Sequence, residues 1–398
     1  MRLTLASVLL EGLSFALFFF RIDSLPIRQI DENYYVPAAR AFLGGTADDT
    51  LQHPPLGKII IAVGIRVLGD RPEGWRLASA VFGSITLVAI FIWAYMLTQD
   101  FGLALFAAIL TIFNNFLYVM ARIAMLDVFY FTFVLLGILA FTRAILTTDL
   151  SLFRRRVFVF VAGLMFGAAI SCKWTGIVFQ ACLLLLLLYL RISDSHKVRE
   201  LGLATLVLGL GVVPLATYYT VFGLASMALH LPFSLHEFVA QNVSMWKWHR
   251  AVPGNPTLNV RWYQWFFRSS PERAFSYLVG NFVVMWTGVG AVILCAWNWW
   301  KNRTLAVAEA MLVLLYSANV LQWVVIPQRV TCYYYYYPSA MLLGVAIALA
   351  IGRAGRPSWA GVRVSLVLMI ATFLFFLFSY PHMAGLQAPF DCALGCWP

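Results

Sequence analysis

RLASAVFGSITLVAIFIWAYMLT, residues 76–98, holds one charged side chain, Arg76 at its first position. A stretch of this length and apolarity, wound as a helix, matches the roughly 30 Å hydrocarbon core of a bilayer. The rest of the chain is built the same way. Hydrophobic residues make up 62% of the 398 and charged residues 11%, and mean hydropathy is +0.82. A soluble domain carries roughly 25% charged residues, so most of this chain must meet lipid or other helices. Apolar runs near 3–20, 76–98, 101–120, 124–146, 157–172, 174–191, 201–223, 276–299, 305–326, 333–352 and 361–380 read as about eleven spans. The runs are too long for barrel strands of about ten residues. The predicted fold is an all-α polytopic integral membrane protein, one transmembrane domain over 1–398. The first run carries Glu11 and ends in Phe18, Phe19, Phe20 and Arg21, without the small-residue cleavage site of a signal peptide.

Short loops set the expected orientation. Arg143, Arg154, Arg155 and Arg156 lie between spans four and five; Arg191, Lys197 and Arg199 between six and seven. Lys301 and Arg303 separate eight from nine, and Arg353 and Arg356 ten from eleven. The positive-inside rule places these loops and the N-terminus in the cytoplasm. Two long loops, 21–75 and 224–275, and the C-terminal tail are then outside. The net charge of +11 is no nucleic-acid footprint, because much of it is these anchors. In the first outer loop Pro37 predicts a short helix, PAARAFLGG, ended by Gly44 and Gly45. LGKIIIAVGIRVLG predicts an amphipathic helix lying at the interface. The second outer loop, with Pro232, Pro253, Pro256 and Pro271, reads as irregular, its tryptophans at headgroup level. Cys392 and Cys396 share the tail, either as a disulfide or as two free thiols.

On this topology the unusual polar residues collect on the outer face. They are Asp31 and Glu32; His53 and Lys58 in HPPLGK; Arg122 and Asp127 in RIAMLD; Lys173 in SCKWTG; His249 and Arg268; and Arg329 before the run Tyr333 to Tyr337. Each has an ordinary reading too: Asp31 as a helix cap, Lys173 and Arg329 as snorkelling cations, the tyrosines as an aromatic belt. Their joint placement favours chemistry. Arg and Lys neutralise a lipid phosphate, Arg by paired hydrogen bonds. If the lipid carries a sugar, its phosphate leaves readily without a general acid. One carboxylate must still take the proton of the attacking hydroxyl, and the cations stabilise the departing charge.

These residues resemble the protein O-mannosyltransferase family, among the integral-membrane glycosyltransferases of the C superfamily. The resemblance covers most of the chain. It rests on Asp31-Glu32, HPPLGK (53–58), RIAMLD (122–127), SCKWTG (171–176), MWKWHR (245–250), WYQWFFRSSP (262–271), GNFVVMW (280–286) and QRVTCYYYYYP (328–338), in that order. It implies a polyprenyl-phosphate sugar donor, inversion, no metal and no cofactor. The sugar it implies is a hexose, mannose, passed to a hydroxyl acceptor, Ser or Thr of exported proteins. Asp31 would be the base and Glu32 would help place the acceptor. Arg122 would act at the donor phosphate or in ordering the site. Lys173, Arg268, Arg329 and, more weakly, Lys58 are the other phosphate-binding candidates. His53, Asp127, His249, Tyr334 and Tyr336 would support the site.

The sequence departs from the family pattern mainly in its second half. Tyr335 stands where a His is common, Arg268 is followed by Ser269 rather than Pro, Asn255 stands where a His-Pro pair often begins, and Asn281 is followed by Phe282 rather than Pro. No luminal domain separates the spans. A lipid or glycan acceptor is therefore an open alternative. A transporter of lipid-linked sugar would instead want ionisable groups near the bilayer middle and paired repeats, and Glu11 alone answers to that.

Overall fold

The computed structural model describes residues 1–25, 31–46, 52–146, 150–193, 196–251, 260–266, 278–325, 331–353 and 359–386, and every regular element among them is helical. The first half contains α1 (Arg2–Phe19), α2 (Glu32–Gly44), α3 (Leu56–Leu68), α4 (Pro72–Thr98), α5 (Phe101–Ile112), α6 (Asn115–Met120), α7 (Leu126–Leu146) and α8 (Leu152–Cys172). Then come α9 (Gly176–Ile192), α10 (His196–Glu200), α11 (Leu203–Val207), α12 (Val213–Ala228) and α13 (Leu235–Ala251). The last four are α14 (Phe282–Asn302), α15 (Val307–Val325), α16 (Tyr337–Arg353) and α17 (Trp359–Met383).

Among the described residues nine helical stretches are long and apolar enough to cross a membrane, and α5 and α9 are shorter apolar helices. The eleven expected runs thus divide into nine and two. α7 and α16 are the most buried of the nine, whereas α1 and α17 turn most of their surface outward. Local signals fix many ends. Asp100 accepts from Leu103 N at the start of α5, and Ser151 from Arg154 N at the start of α8. Close backbone approach sets one packing. A side chain at Gly163 of α8 would meet the Gly209 carbonyl at 1.8 Å, where a π-helical turn (Leu208–Val212) joins α11 to α12 ahead of Pro214.

The structure corrects three local expectations. The run 101–120 is not one helix. Asn114 accepts from Phe116 N and donates to Ala340 O of α16, while Asn281 donates to Phe113 O, so backbone groups freed by the break find partners. Second, residues 235–251 form the helix α13, because the prolines of that loop flank this stretch rather than interrupt it. Third, α2 begins at Glu32, ahead of Pro37, and ends at Gly45 in the left-handed region (φ 64°). Buried contacts of Glu32, described below, stabilise the added turn. Glu11 has a polar partner in Ser84 Oγ of α4, 3.0 Å away. Cys392 and Cys396 lie outside the described residues.

Candidate active site

Five connections converge at one end of the bundle: the start of α2, the segment before α3, the α6–α7 turn, the α8–α9 turn and the tyrosine turn before α16. At their meeting point is Asp31. Although it occupies the N-cap position of α2, its side chain makes no capping bond. Its Oδ2 instead accepts from Tyr334 Oη at 3.0 Å and Tyr35 Oη at 3.4 Å. The cap-like placement is therefore real in the backbone and absent in the side chain. Burial pushes the Asp31 carboxyl above the usual aspartate range; Lys173 pulls it back, Asp127 adds to the rise, and the two phenols oppose it.

Lys173, in the turn after α8, is bonded through Nζ to both oxygens of Asp127, at 2.8 and 3.0 Å. Asp127 opens α7, so the pair joins two helices at the floor of the site. The same ammonium lies over the rings of Tyr335 (4.9 Å), Tyr334 (5.4 Å) and Tyr130 (5.8 Å). One side of the site is aromatic: His53 lies against Tyr35 and His249, and His249 against Trp174 and Trp248. His249 meets the Gln52 carbonyl at 2.7 Å, which ties the end of α13 to the segment before α3. Burial, then the fields of Lys173, His249 and Lys58, hold His53 well below the ordinary imidazole range. Lys58 itself is buried in α3.

Other expected site residues are buried and engaged by neighbouring groups. Glu32, expected to help place the acceptor, is fully buried. Its carboxylate takes both Nε (2.8 Å) and Nη2 (2.9 Å) of Arg76 and also accepts from Ala124 N at 2.7 Å. Arg122, expected at the donor phosphate or in ordering the site, is fully buried. Its guanidinium donates to the carbonyls of Phe18 (2.8 Å), Phe20 (2.6 Å) and Arg21 (2.7 Å), at and just past the end of α1. The Phe18 carbonyl is among those a helix C-terminus leaves unpaired, and a cation there also suits the helix dipole. Arg76 adds bonds to Ile22 O (2.9 Å) and Leu25 O (3.3 Å), so two guanidiniums staple the segment leading to Asp31. Tyr336 is a core residue, bonded to Tyr316 Oη at 2.9 Å. Arg268 and Arg329 lie outside the described residues.

Sequence reasoning missed Tyr35 and Arg76. Both had a signal: Tyr35 follows Asp31 by one helical turn, and Arg76 is a charge at the mouth of a long apolar run. Among the described residues no three His, Cys, Asp or Glu side chains gather closely enough to share a metal ion. For Arg122→Lys we expect a fall in melting temperature equivalent to at least about 2 kcal/mol, because one ammonium cannot reach three carbonyls and charged hydrogen bonds contribute about 1.5–3 kcal/mol each. Thermal melting of the purified variant checks this.

Known proteins share this arrangement of helices. The mannosyltransferase subunit fold in the Saccharomyces cerevisiae protein O-mannosyltransferase Pmt1-Pmt2 complex bound to the sugar donor superposes with a TM-score of 0.81, at 12% identity, over 97% of this chain and 90% of that one. ArnT from Cupriavidus metallidurans bound to undecaprenyl phosphate gives 0.66 at 19% identity, over 94% and 64%. In sequence, the polyprenol-phosphate-mannose–protein mannosyltransferase of Corynebacterium glutamicum is 25% identical, over 81% of this chain and 76% of its own length. Residues 8–230, which hold Asp31, Arg76, Arg122, Asp127 and Lys173, match the family described as dolichyl-phosphate-mannose-protein mannosyltransferase. The chain belongs to that family.

Proposed function

We propose that Asp31 is the base in the transfer of mannose from a polyprenyl phosphate to Ser or Thr hydroxyls of exported proteins, on the extracytoplasmic side of the membrane. Family membership makes the chain a mannosyltransferase that draws on a lipid phosphate sugar and acts on protein; the base, the residue type accepting the sugar and the side of the membrane are our reading. The observation that carries it is the half-buried Asp31 carboxylate, held by two phenols beside the Lys173 ammonium. As the acceptor oxygen bonds to the anomeric carbon, its proton passes to Asp31. The carbon–oxygen bond to phosphate breaks with its electron pair going to the phosphate, on the opposite face of the sugar, so configuration inverts. Lys173 is the described cation nearest to this chemistry, and its third ammonium hydrogen is available to a phosphate oxygen once two serve Asp127. Aromatic surface from Trp174, Trp248 and Tyr335 borders the site.

Transfer of labelled mannose from polyprenyl-phosphate mannose to a Ser/Thr-rich peptide, with purified protein in EDTA, tests the reading. Labelled peptide is the expected product. Failure with peptide, together with transfer to a lipid hydroxyl, would show the acceptor assignment to be wrong. The pH dependence has a definite sign. A base works only when ionised, and burial raises the Asp31 pKa, so activity should fall at a higher pH than an exposed aspartate of pKa 3.8 would give. His53, held low, should add no separate limb near 6.5. A kcat/KM profile from pH 4 to 9 measures both.

A further inference from the structure

Asp31 is held on one side only. Tyr35 and Tyr334 both donate to its Oδ2, at 3.4 and 3.0 Å, whereas Oδ1 has no hydrogen-bond partner among the described residues. The two phenols come from distant parts of the chain, one from the first turns of α2 and one from the turn before α16. We infer that Tyr35 and Tyr334 are positioning residues for the transfer reaction: together they grip Asp31 by Oδ2 and present Oδ1 as the atom that takes the acceptor's proton. This rests on Asp31 being the base.

Hydrogen bonds to one carboxylate oxygen draw charge toward it and fix the side-chain torsions. The other oxygen keeps its lone pairs open, and its direction is set. The groups facing Asp31 are Lys173 after α8, Asp127 at the start of α7, Tyr35 on α2, and Tyr334 and Tyr335 before α16. Lys173 is hydrogen-bonded to Asp127, so it acts on Asp31 through space rather than by holding it. Among the described residues only the tyrosines hydrogen-bond the carboxylate. They transfer no proton themselves: the acceptor O–H bond breaks, its proton goes to Oδ1, and the phenols keep theirs.

The test uses the full chain in detergent or nanodiscs, polyprenyl-phosphate mannose and a Ser/Thr-rich peptide, with Tyr35→Phe, Tyr334→Phe and Asp31→Asn. Loss of a hydrogen bond to the ionised carboxylate raises its pKa. Each Phe variant should therefore move the acid limb of the kcat profile to higher pH, more for Tyr334 than for Tyr35. On the plateau, Tyr334→Phe should lose roughly tenfold or more in kcat and Tyr35→Phe a few-fold, with donor KM unchanged. A purely structural role would lower the melting temperature and leave the acid limb where it is. Wild-type limbs in both Phe variants, with Asp31→Asn inactive, overturn the positioning role and spare the base. An active Asp31→Asn removes the base and the inference with it. If Tyr334→Phe does not fold, the limb of Tyr35→Phe decides alone.

Discussion

Asp31→Asn is expected to cost about 10²–10⁴-fold in kcat, the range general-base catalysis supplies, without loss of thermal stability. The amide oxygen can still accept from Tyr35 and Tyr334, so the local geometry has no reason to collapse. The stability sign follows from the raised pKa. A carboxyl harder to ionise in the folded state than in the unfolded one weakens folding at pH values above its unfolded pKa, so that cost is present at neutral pH. A neutral amide does not carry it, and the melting temperature at pH 7 should stay level or rise. Donor affinity should change little. A melting temperature that fell together with activity would mark Asp31 as structural and sink its assignment as the base.

Arg76→Met should be among the most destabilising single changes in the chain. It removes Arg76 from the fully buried Glu32 carboxylate and strips donors from Ile22 and Leu25. Breaking a buried pair from one side costs about 3–5 kcal/mol. Glu32→Gln should cost less, because an amide oxygen still serves either Ala124 N or Arg76. The double variant Arg76→Met/Glu32→Gln should recover part of the loss, and the non-additivity measures the pairing itself. Thermal melting of all three, with peptide KM for Glu32→Gln, separates the structural role from acceptor placement. A large rise in peptide KM at unchanged melting temperature would restore Glu32 to the acceptor site.

Much of this site was legible in the sequence, and the reason is physical. Polar groups at span ends are so scarce in this chain that Asp31, His53, Asp127, Lys173, His249 and Tyr334 stood out, and the structure brings them together. What each does within the cluster was harder to read. Arg122 and Glu32 share the scarcity, yet one completes the end of α1 and the other is consumed by Arg76. Scarcity marks cost, and a helix end that must be satisfied bears that cost as readily as a substrate does. Five tyrosines in succession carry no periodicity from which to choose a face. The 3-10 turn Tyr333–Tyr336 decides, sending Tyr334 to Asp31 and Tyr336 to Tyr316. The break at Asn114 was hidden inside an apolar run, because its compensating partners, Ala340 and Asn281, lie far along the chain.

The bond between Tyr334 and Asp31 spans 303 positions of sequence. A chain made from its N-terminus inserts the base-bearing segment first and the tyrosine turn among its last spans. Until that turn arrives, Asp31 has Tyr35 but not its shorter partner, and Asn114 waits for Ala340 as well. If Asp31 is the base, as proposed above, catalytic competence is an end-of-synthesis property. On that reading a partly inserted chain displays the acidic motif without the bond that holds it, and half-made molecules would not spend lipid-linked sugar.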